Sequence, residues 1–418
     1  MITIHQPYIC DGGSGNARLE AVIEDEGLQR EFKLWYEVEN AYREYLCTES
    51  ADAFLLPFLP LAANVGQDLF IEANVSPKLL HNAREIHVPF LAHAFGKKKI
   101  EVRAQSAVAC HFHGSAVATG CSLGVDSLSA IYQYTDPACQ PEYRLTHLCL
   151  FNSGQLGNID QEQTTRSLME CAKRAEPFAS EMGLDLFWID SNIPDLVDRY
   201  HLSTAQTSQY TSAGCALTLQ KFLGKYMFAS GTSAEKIRME HGDASHAKAL
   251  VVPATSTESV DVILTDAFVR RIDKTERISK NPLTPRYLDV CWSTYDALEK
   301  GGKDWYQKDK EFRNCGWCDK CMRTLFTLEL YGRLSDYAEA FDLERYRYNR
   351  KDYIIKVVAN RNHGGFYEEI YELMKEKHFP IPLRGELLRL VNVKDSKLVL
   401  WLWQTYRSLR RKRYHTDR

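Results

Sequence analysis

Short apolar runs alternate with helical stretches between residues 113 and 266, and this alternation constrains the fold more than any other feature of the sequence. Several runs end in polar turns, among them GCSLGVDS (120–127), FNSGQLGN (151–158) and SGTSAEK (230–236). Strands that alternate with helices build a parallel sheet with helices on both faces. Ligands of such sheets bind beyond the carboxyl ends of the strands, where these turns would gather. The sequence therefore predicts an α/β protein with a ligand site along one edge of its sheet.

Local patterns predict individual elements around this core. Residues 18–24 and 30–38 flank a DEG turn, and the second run alternates in the manner of a β-hairpin strand. Residues 51–66 have the composition of a helix, which Pro57 and Pro60 are expected to break. Further helices are expected at 125–134, 161–182 and around 214–223.

The length of 418 residues exceeds that of one average domain. The change of pattern near residue 110 and the helical character after Leu330 suggest where the boundaries lie. We expect an α+β N-terminal domain at 1–110, the parallel-sheet domain at 111–330, and a helical extension with a basic tail at 331–418.

Composition excludes little. The net charge is −3, so the chain as a whole does not favour a nucleic-acid partner, and the basic residues at 407–413 are interpreted as a solvated terminus. No stretch approaches the roughly 20 apolar residues that cross a bilayer. No export signal is evident, and the 12 cysteines are interpreted as reduced thiols. We therefore expect a cytoplasmic protein with no membrane partner.

The turn GCSLGVDS carries groups suited to phosphate. A helix that begins after Gly124 would present free backbone N–H groups and the positive end of its dipole. Gly124 lets an anion approach the backbone, and the hydroxyls of Ser122 and Ser127 can donate hydrogen bonds. Asp126 repels a bare phosphate, so we expect it to hold Mg²⁺ that bridges phosphate oxygens. The Walker spacing is absent, since no lysine follows the glycine.

A cysteine cluster lies nearly 200 residues further along. Cys315, Cys318 and Cys321 have C-x2-C-x2-C spacing, and Cys291 lies upstream. Four thiolates at about 2.3 Å from one ion form a closed tetrahedral Zn²⁺ site. An iron–sulfur cluster is the alternative, although the ferredoxin run continues with C-x3-C-P and no cysteine follows here. Zinc is the favoured ion.

The turn SLGVDS (122–127) resembles the S-G-G-x-D-S signature of the PP-loop ATP pyrophosphatases. Those enzymes cleave ATP between the α and β phosphates, adenylate a carbonyl or carboxyl oxygen, and let a nucleophile displace AMP. The matching positions are Ser122, Gly124, Asp126 and Ser127, whereas Leu123 stands where the family has its first glycine. The resemblance implies that residues 122–127, Leu123 and Val125 included, bind ATP and that Asp126 and Ser127 take part in catalysis.

An upstream cysteine followed by C-G-x-C-x-x-C, after a PP-loop domain, resembles the 7-cyano-7-deazaguanine synthase-like (QueC-like) enzymes, whose four cysteines bind structural zinc. The resemblance covers roughly residues 113–330. RRIDK (270–274) is similar to the family's lysine-bearing segment, which implies that Arg271 and the catalytic Lys274 contact phosphate or the AMP leaving group. It further implies contacts to the nucleotide from Asn152, Ser153 and Gly231. Backbone groups after the strand that leads into FNSG (151–154) would recognise the adenine. The segment 241–248 would line the substrate pocket.

The resemblance implies an ATP- and Mg²⁺-dependent ligase. Such an enzyme adenylates a carboxylate or amide oxygen, releases pyrophosphate, and couples the product to an amine or ammonia. The expected substrate is a small-molecule or protein carboxylate. QueC-like proteins with extra domains occur in antiphage operons, so an operon partner protein and a role in antiviral defence are further expectations. Two alternatives stay open: a PP-loop RNA sulfurtransferase and a non-catalytic ATP-binding interaction module.

Overall fold

The computed structural model describes residues 1–156, 161–236, 247–291, 312–363 and 365–390. Most of the 241–248 segment and the whole basic tail at 407–413 lie outside the described residues. The chain divides into two units, residues 1–313 and 314–418.

The first unit is built on one eleven-stranded sheet. Its strands are β1 Ile2–His5, β2 Tyr8–Asp11, β3 Ala17–Asp25, β4 Arg30–Val38, β5 Leu69–Asn74, β6 Val102–Ser106, β7 Ala116–Gly120, β8 His147–Phe151, β9 Asp185–Ser191, β10 Leu223–Ala229 and β11 Asp261–Thr265. The strand order is β11-β10-β7-β8-β9-β4-β3-β1-β5-β6, and β2 pairs with β3. The sheet is mixed, with antiparallel pairs at β1–β3, β2–β3, β3–β4 and β4–β9.

Five neighbouring strands, β11, β10, β7, β8 and β9, run parallel to one another. Numbered along the chain from β7, they follow the order 3-2-1-4-5, which is that of a Rossmann-like core. Their apolar side chains are buried or partly buried, since helices connect one strand to the next. The α/β class that the alternation predicts is confirmed at this level.

Helices surround this sheet. Those described in the first unit are α1 Asp52–Val65, α2 Pro77–Asn82, α3 Val88–Phe95, α4 Val125–Tyr134, α5 Gln161–Met182, α6 Ile193–Arg199, α7 Thr204–Leu217, α8 Lys248–Val251, α9 Arg271–Ser279 and α10 Thr284–Tyr287. The expected hairpin is confirmed as β3 and β4, and the bounds of α4 and α5 are those predicted. The helix expected around 214–223 is instead α7. The predicted break in α1 is wrong, because the helix continues through Pro57 and Pro60.

The expected boundary between residues 110 and 111 does not separate two sheets. Strand β4 pairs with β9 at Tyr36–Ser191 and Glu37–Asp190, so the N-terminal strands extend the parallel core. The Tyr42 ring lies 5.5 Å from that of Phe187 and 5.3 Å from that of Phe222, centroid to centroid. Residues 1–110 therefore belong to the same unit as the parallel strands.

The second unit is helical among its described residues, as expected for the C-terminal extension. Its helices are α11 Asp319–Leu330, α12 Leu343–Asn360, α13 Phe366–Glu376 and α14 Leu383–Leu390. It begins at Asn314, earlier than the expected 331, because Asn314 forms an isolated bridge with Phe341. In the described part of the chain, no helix is both long and apolar enough to span a membrane.

Candidate functional site at the strand edge

The site lies where the strand order of the parallel core reverses. Chain connections leave β7 towards β8 on one side, while β10 lies on its other side. Loops after two such strands diverge and leave a crevice at their carboxyl ends. Here the turn 121–124 follows β7 and leads into α4, and the turn that begins at Ser230 follows β10.

Asp126 is the centre of this site. Its carboxylate forms an ion pair with the Arg271 guanidinium, and the Lys274 Nζ lies 3.7 Å from Asp126 Oδ1. A Cβ built on Gly231 would lie 3.8 Å from Asp126 Oδ2, so the turn after β10 faces the same carboxylate. The side chains of Asp126, Arg271 and Lys274 are 24 %, 10 % and 1 % exposed. The structure thus brings together four residues that the sequence placed in the nucleotide site.

Helix α9 presents both cations. Arg271 and Lys274 are three residues apart, so they share one face of the helix. Arg271 occupies the first turn, where the helix dipole disfavours positive charge. Lys274 is buried and donates to the Ser230 carbonyl at 2.5 Å, which partly satisfies an ammonium that is costly to desolvate. Two neighbouring cations in this position favour the binding of an anionic ligand.

The turn itself has an unusual backbone. Leu123 has φ = +55°, the left-handed region that glycine adopts without strain. Its carbonyl accepts a hydrogen bond from the Asp289 N–H at 2.9 Å, and its side chain is buried. A leucine therefore occupies the position of the family's first glycine in a conformation that favours glycine.

The other turn residues have local roles. The hydroxyls of Ser122 and Ser127 lie 3.1 Å apart, and Ser127 also donates to the Gly124 carbonyl at 3.1 Å. The Val125 side chain is buried in the core, so its backbone alone is left for a ligand. Burial raises the pKa of the neighbouring Cys121 thiol to about 12. This thiol is a poor sulfur carrier at neutral pH, which does not favour the sulfurtransferase alternative.

Asn152 and Ser153 follow β8 and are buried. Asn152 Nδ2 donates to Asp190 Oδ1 at 2.7 Å and to Thr164 Oγ1 at 3.0 Å, and its backbone N–H donates to the Ile189 carbonyl. The Ser153 carbonyl accepts from the Thr211 hydroxyl at 2.9 Å. These groups are engaged inside the fold, and adenine recognition by this segment stays a prediction.

A network that the sequence analysis missed joins α4 to α9. Arg277 Nη1 lies 2.8 Å from Asp266 Oδ1 and 2.8 Å from the Ser129 hydroxyl oxygen, and Ser129 also donates to Asp266 Oδ2 at 2.6 Å. Asp266 follows β11, Ser129 lies on α4, and Arg277 lies on α9. Because these residues are 11 to 148 positions apart, no local motif signals the network.

The four predicted cysteine ligands come together. The sulfur atoms of Cys291, Cys315, Cys318 and Cys321 all lie within 4.8 Å of one another. Cys315 and Cys321 Sγ are 3.9 Å apart, close to the ~3.8 Å edge of a tetrahedron whose metal–sulfur distance is about 2.3 Å. The donor set therefore fits a thiolate-bound metal ion.

Backbone geometry supports this cysteine loop. The Cys318 N–H donates to Cys315 Sγ at 3.4 Å, and the Cys321 N–H donates to Cys318 Sγ at 3.5 Å, contacts that stabilise thiolates. Gly316 has φ = +70°, and a Cβ there would lie 2.1 Å from the Asp342 carbonyl oxygen. Only glycine fits this position, since a side chain would meet backbone.

Comparisons of the chain with models of protein families, with curated proteins and with solved structures find no match.

Proposed function

We propose that the protein is an ATP-dependent ligase that adenylates a carboxylate or amide oxygen, releases pyrophosphate, and couples the product to an amine or ammonia. The observation that carries the proposal is the Asp126 carboxylate between Arg271 and Lys274, at the edge of the sheet where the strand order reverses. The resemblance of residues 122–127 to the PP-loop signature supports the same activity.

The roles of the residues follow from their charges. The backbone N–H groups at the start of α4 and the two cations of α9 would bind the triphosphate. Asp126 would exchange its ion pair with Arg271 for a Mg²⁺ ion, which supplies charge neutralisation on the phosphate oxygens when bound. Arg271 would then turn to a phosphate oxygen, and Lys274 would stabilise the negative charge that develops on the pyrophosphate leaving group.

The reaction needs little covalent chemistry from the protein. The acceptor oxygen attacks the α phosphorus, the bond to the bridging oxygen breaks, and pyrophosphate departs with that electron pair. An amine then attacks the adenylated carbon and displaces AMP. Positioning and charge stabilisation supply the acceleration.

Pyrophosphate release from ATP in the presence of Mg²⁺ tests this proposal. Asp126→Asn and Lys274→Met should each lower release by roughly 10²-fold or more. Asp273→Asn is the matched control, because Asp273 lies on the same helix and pairs with Arg270. Release at background by wild type and both variants would rule out the ligase and the sulfurtransferase together. Retained ATP binding would then favour the non-catalytic module.

For the cysteine cluster we propose a structural zinc ion. Four closely spaced thiolates leave no open coordination position for chemistry. Cys318→Ser should release the ion, whereas Cys171→Ser, a cysteine outside the cluster, should retain it. Metal content per chain is the measurement. Bound iron with visible absorption would contradict zinc.

A further inference from the structure

The left-handed conformation of Leu123 needs support from its surroundings. A non-glycine residue adopts such a conformation only where neighbouring contacts hold it. Its side chain is buried, its N–H hydrogen-bonds the Cys121 thiol, and its carbonyl accepts a hydrogen bond from the Asp289 N–H. The Asp289 carbonyl oxygen also lies 3.7 Å from the place where a Cβ on Gly124 would sit. The backbone of Asp289 thus lies against both residues that precede α4.

The Asp289 side chain is itself held by helix α5. Arg174 Nη1, on α5, lies 2.5 Å from Asp289 Oδ2, and both side chains are largely buried. Arg174 Nη2 also lies 3.1 Å from Cys171 Sγ, one turn earlier on the same helix. The Leu288 N–H, next to Asp289, donates to the Thr284 carbonyl at 2.9 Å and closes the last turn of α10. Asp289 therefore links α5 to the phosphate turn through one ion pair and one backbone hydrogen bond.

We propose that Asp289 is a positioning residue for nucleotide binding. Arg174 fixes the Asp289 carboxylate, and the Asp289 N–H then fixes the Leu123 carbonyl. Held in this way, the peptide units after Leu123 keep their N–H groups directed towards the phosphates. The inference rests on the proposed ATP site, and it adds two residues, Arg174 and Asp289, that touch no substrate.

Arg174→Met tests the link, because it removes the ion pair and keeps the aliphatic stem. Two quantities are measured: the affinity for ATP with Mg²⁺, and amide hydrogen exchange in the peptides that contain Leu123 and Asp289. We expect roughly tenfold weaker binding, equivalent to about 1.4 kcal/mol, and faster exchange in both peptides. The matched control is Arg286→Met, which breaks the Arg286–Glu181 pair between α10 and the same helix α5 without touching Asp289.

A second variant separates positioning from general stability. Glycine adopts the left-handed conformation unaided, so Leu123→Gly should reduce the effect of Arg174→Met on affinity. A merely structural role for Arg174 would give additive losses in the double variant.

The outcomes distinguish this inference from the proposed function. If Arg174→Met binds ATP as tightly as Arg286→Met and exchanges at the wild-type rate, the link is overturned. If wild type binds no ATP, the proposed function fails. In that case faster exchange at Leu123 in Arg174→Met still supports the link, and unchanged exchange overturns it.

Discussion

At the scale of single residues, Leu123 illustrates how a site can use a residue that its backbone disfavours. The left-handed conformation costs a leucine about 1–2 kcal/mol, and burying its side chain offsets about as much. Two truncations separate these terms. Leu123→Ala loses the side chain and keeps the strain, whereas Leu123→Gly loses both. We expect Leu123→Gly to be the more stable of the two by about 1 kcal/mol, measured by denaturant unfolding.

Leu128 provides the control, since it is equally buried and lies within α4. In an ordinary helix glycine is about 1 kcal/mol worse than alanine, so the order of the two truncations should reverse there. The same order at both positions would contradict a strained turn.

His87 offers a pH-dependent test at this scale. Burial lowers its pKa to about 4, although its Nε2 hydrogen-bonds the Ala254 carbonyl at 3.1 Å. Below pH 6.5 His87 binds a proton in the unfolded chain, whereas in the folded chain it stays neutral down to about pH 4. The contribution of neutral His87 to the free energy of unfolding is therefore fully present above pH 6.5. It is lost as the pH drops from 6.5 to 4, by an amount on the order of 3 kcal/mol.

His87→Gln should flatten this dependence, because glutamine keeps a hydrogen-bond donor and does not titrate. His81→Gln, on the exposed surface of α2, serves as the control. The measurement is the free energy of unfolding at pH 7, 6, 5 and 4. Equal pH profiles for wild type and His87→Gln would refute the assignment.

At the scale of secondary-structure elements, α1 continues through Pro57 where another element supplies the missing donor. Pro57 has no N–H, so the Ala53 carbonyl lacks its usual partner four residues on. The Tyr36 hydroxyl of β4 donates to that carbonyl at 2.7 Å, within the buried interior. Tyr36→Phe leaves the carbonyl unsatisfied and should cost about 1–3 kcal/mol.

Pro57→Ala restores the backbone donor within α1. In that background, Tyr36→Phe should cost at least 1 kcal/mol less than in wild type, as measured by a double-mutant cycle of unfolding free energies. Strict additivity of the two changes would show that Tyr36 does not replace the missing donor.

The same elements show what the sequence can and cannot predict. The β3–β4 hairpin, α4 and α5 follow from local periodicity, and their described bounds agree with it. The continuity of α1 does not follow from periodicity, because a tyrosine on another element satisfies the carbonyl that Pro57 leaves without a donor. The family resemblances assigned Asp126, Arg271 and Lys274 to one nucleotide site, and the structure brings these three side chains together. The Arg277–Asp266 network and Asp289 were missed, since nothing in their local sequence distinguishes such residues from ordinary polar ones.

At the scale of the whole molecule, the change of pattern near residue 110 marks a change of topology within one sheet. The strands before it form both antiparallel and parallel pairs, whereas the strands after it run parallel to one another. Even so, β4 pairs with β9 more than 150 residues later. Helix α7 also packs closely on α1, since a Cβ on Gly214 would lie 2.9 Å from the Ala53 carbonyl oxygen. Sequence patterns report local structure, so such distant pairings are not visible in them.

Deletion of residues 1–110 tests this continuity. The remaining chain, 111–418, would expose the edge of β9 and the face of α7 that α1 covers. Unpaired strand edges and uncovered apolar faces promote aggregation, so we expect no cooperative thermal unfolding and strong binding of a hydrophobic dye. Co-expression of 1–110 with 111–418 should restore a cooperative transition, because the cut lies in the loop between β6 and β7 and leaves the β4–β9 pairing intact. If 111–418 alone unfolds cooperatively at the melting temperature of the full chain, residues 1–110 are an independent domain, and the continuous sheet contributes nothing to the stability of the parallel core.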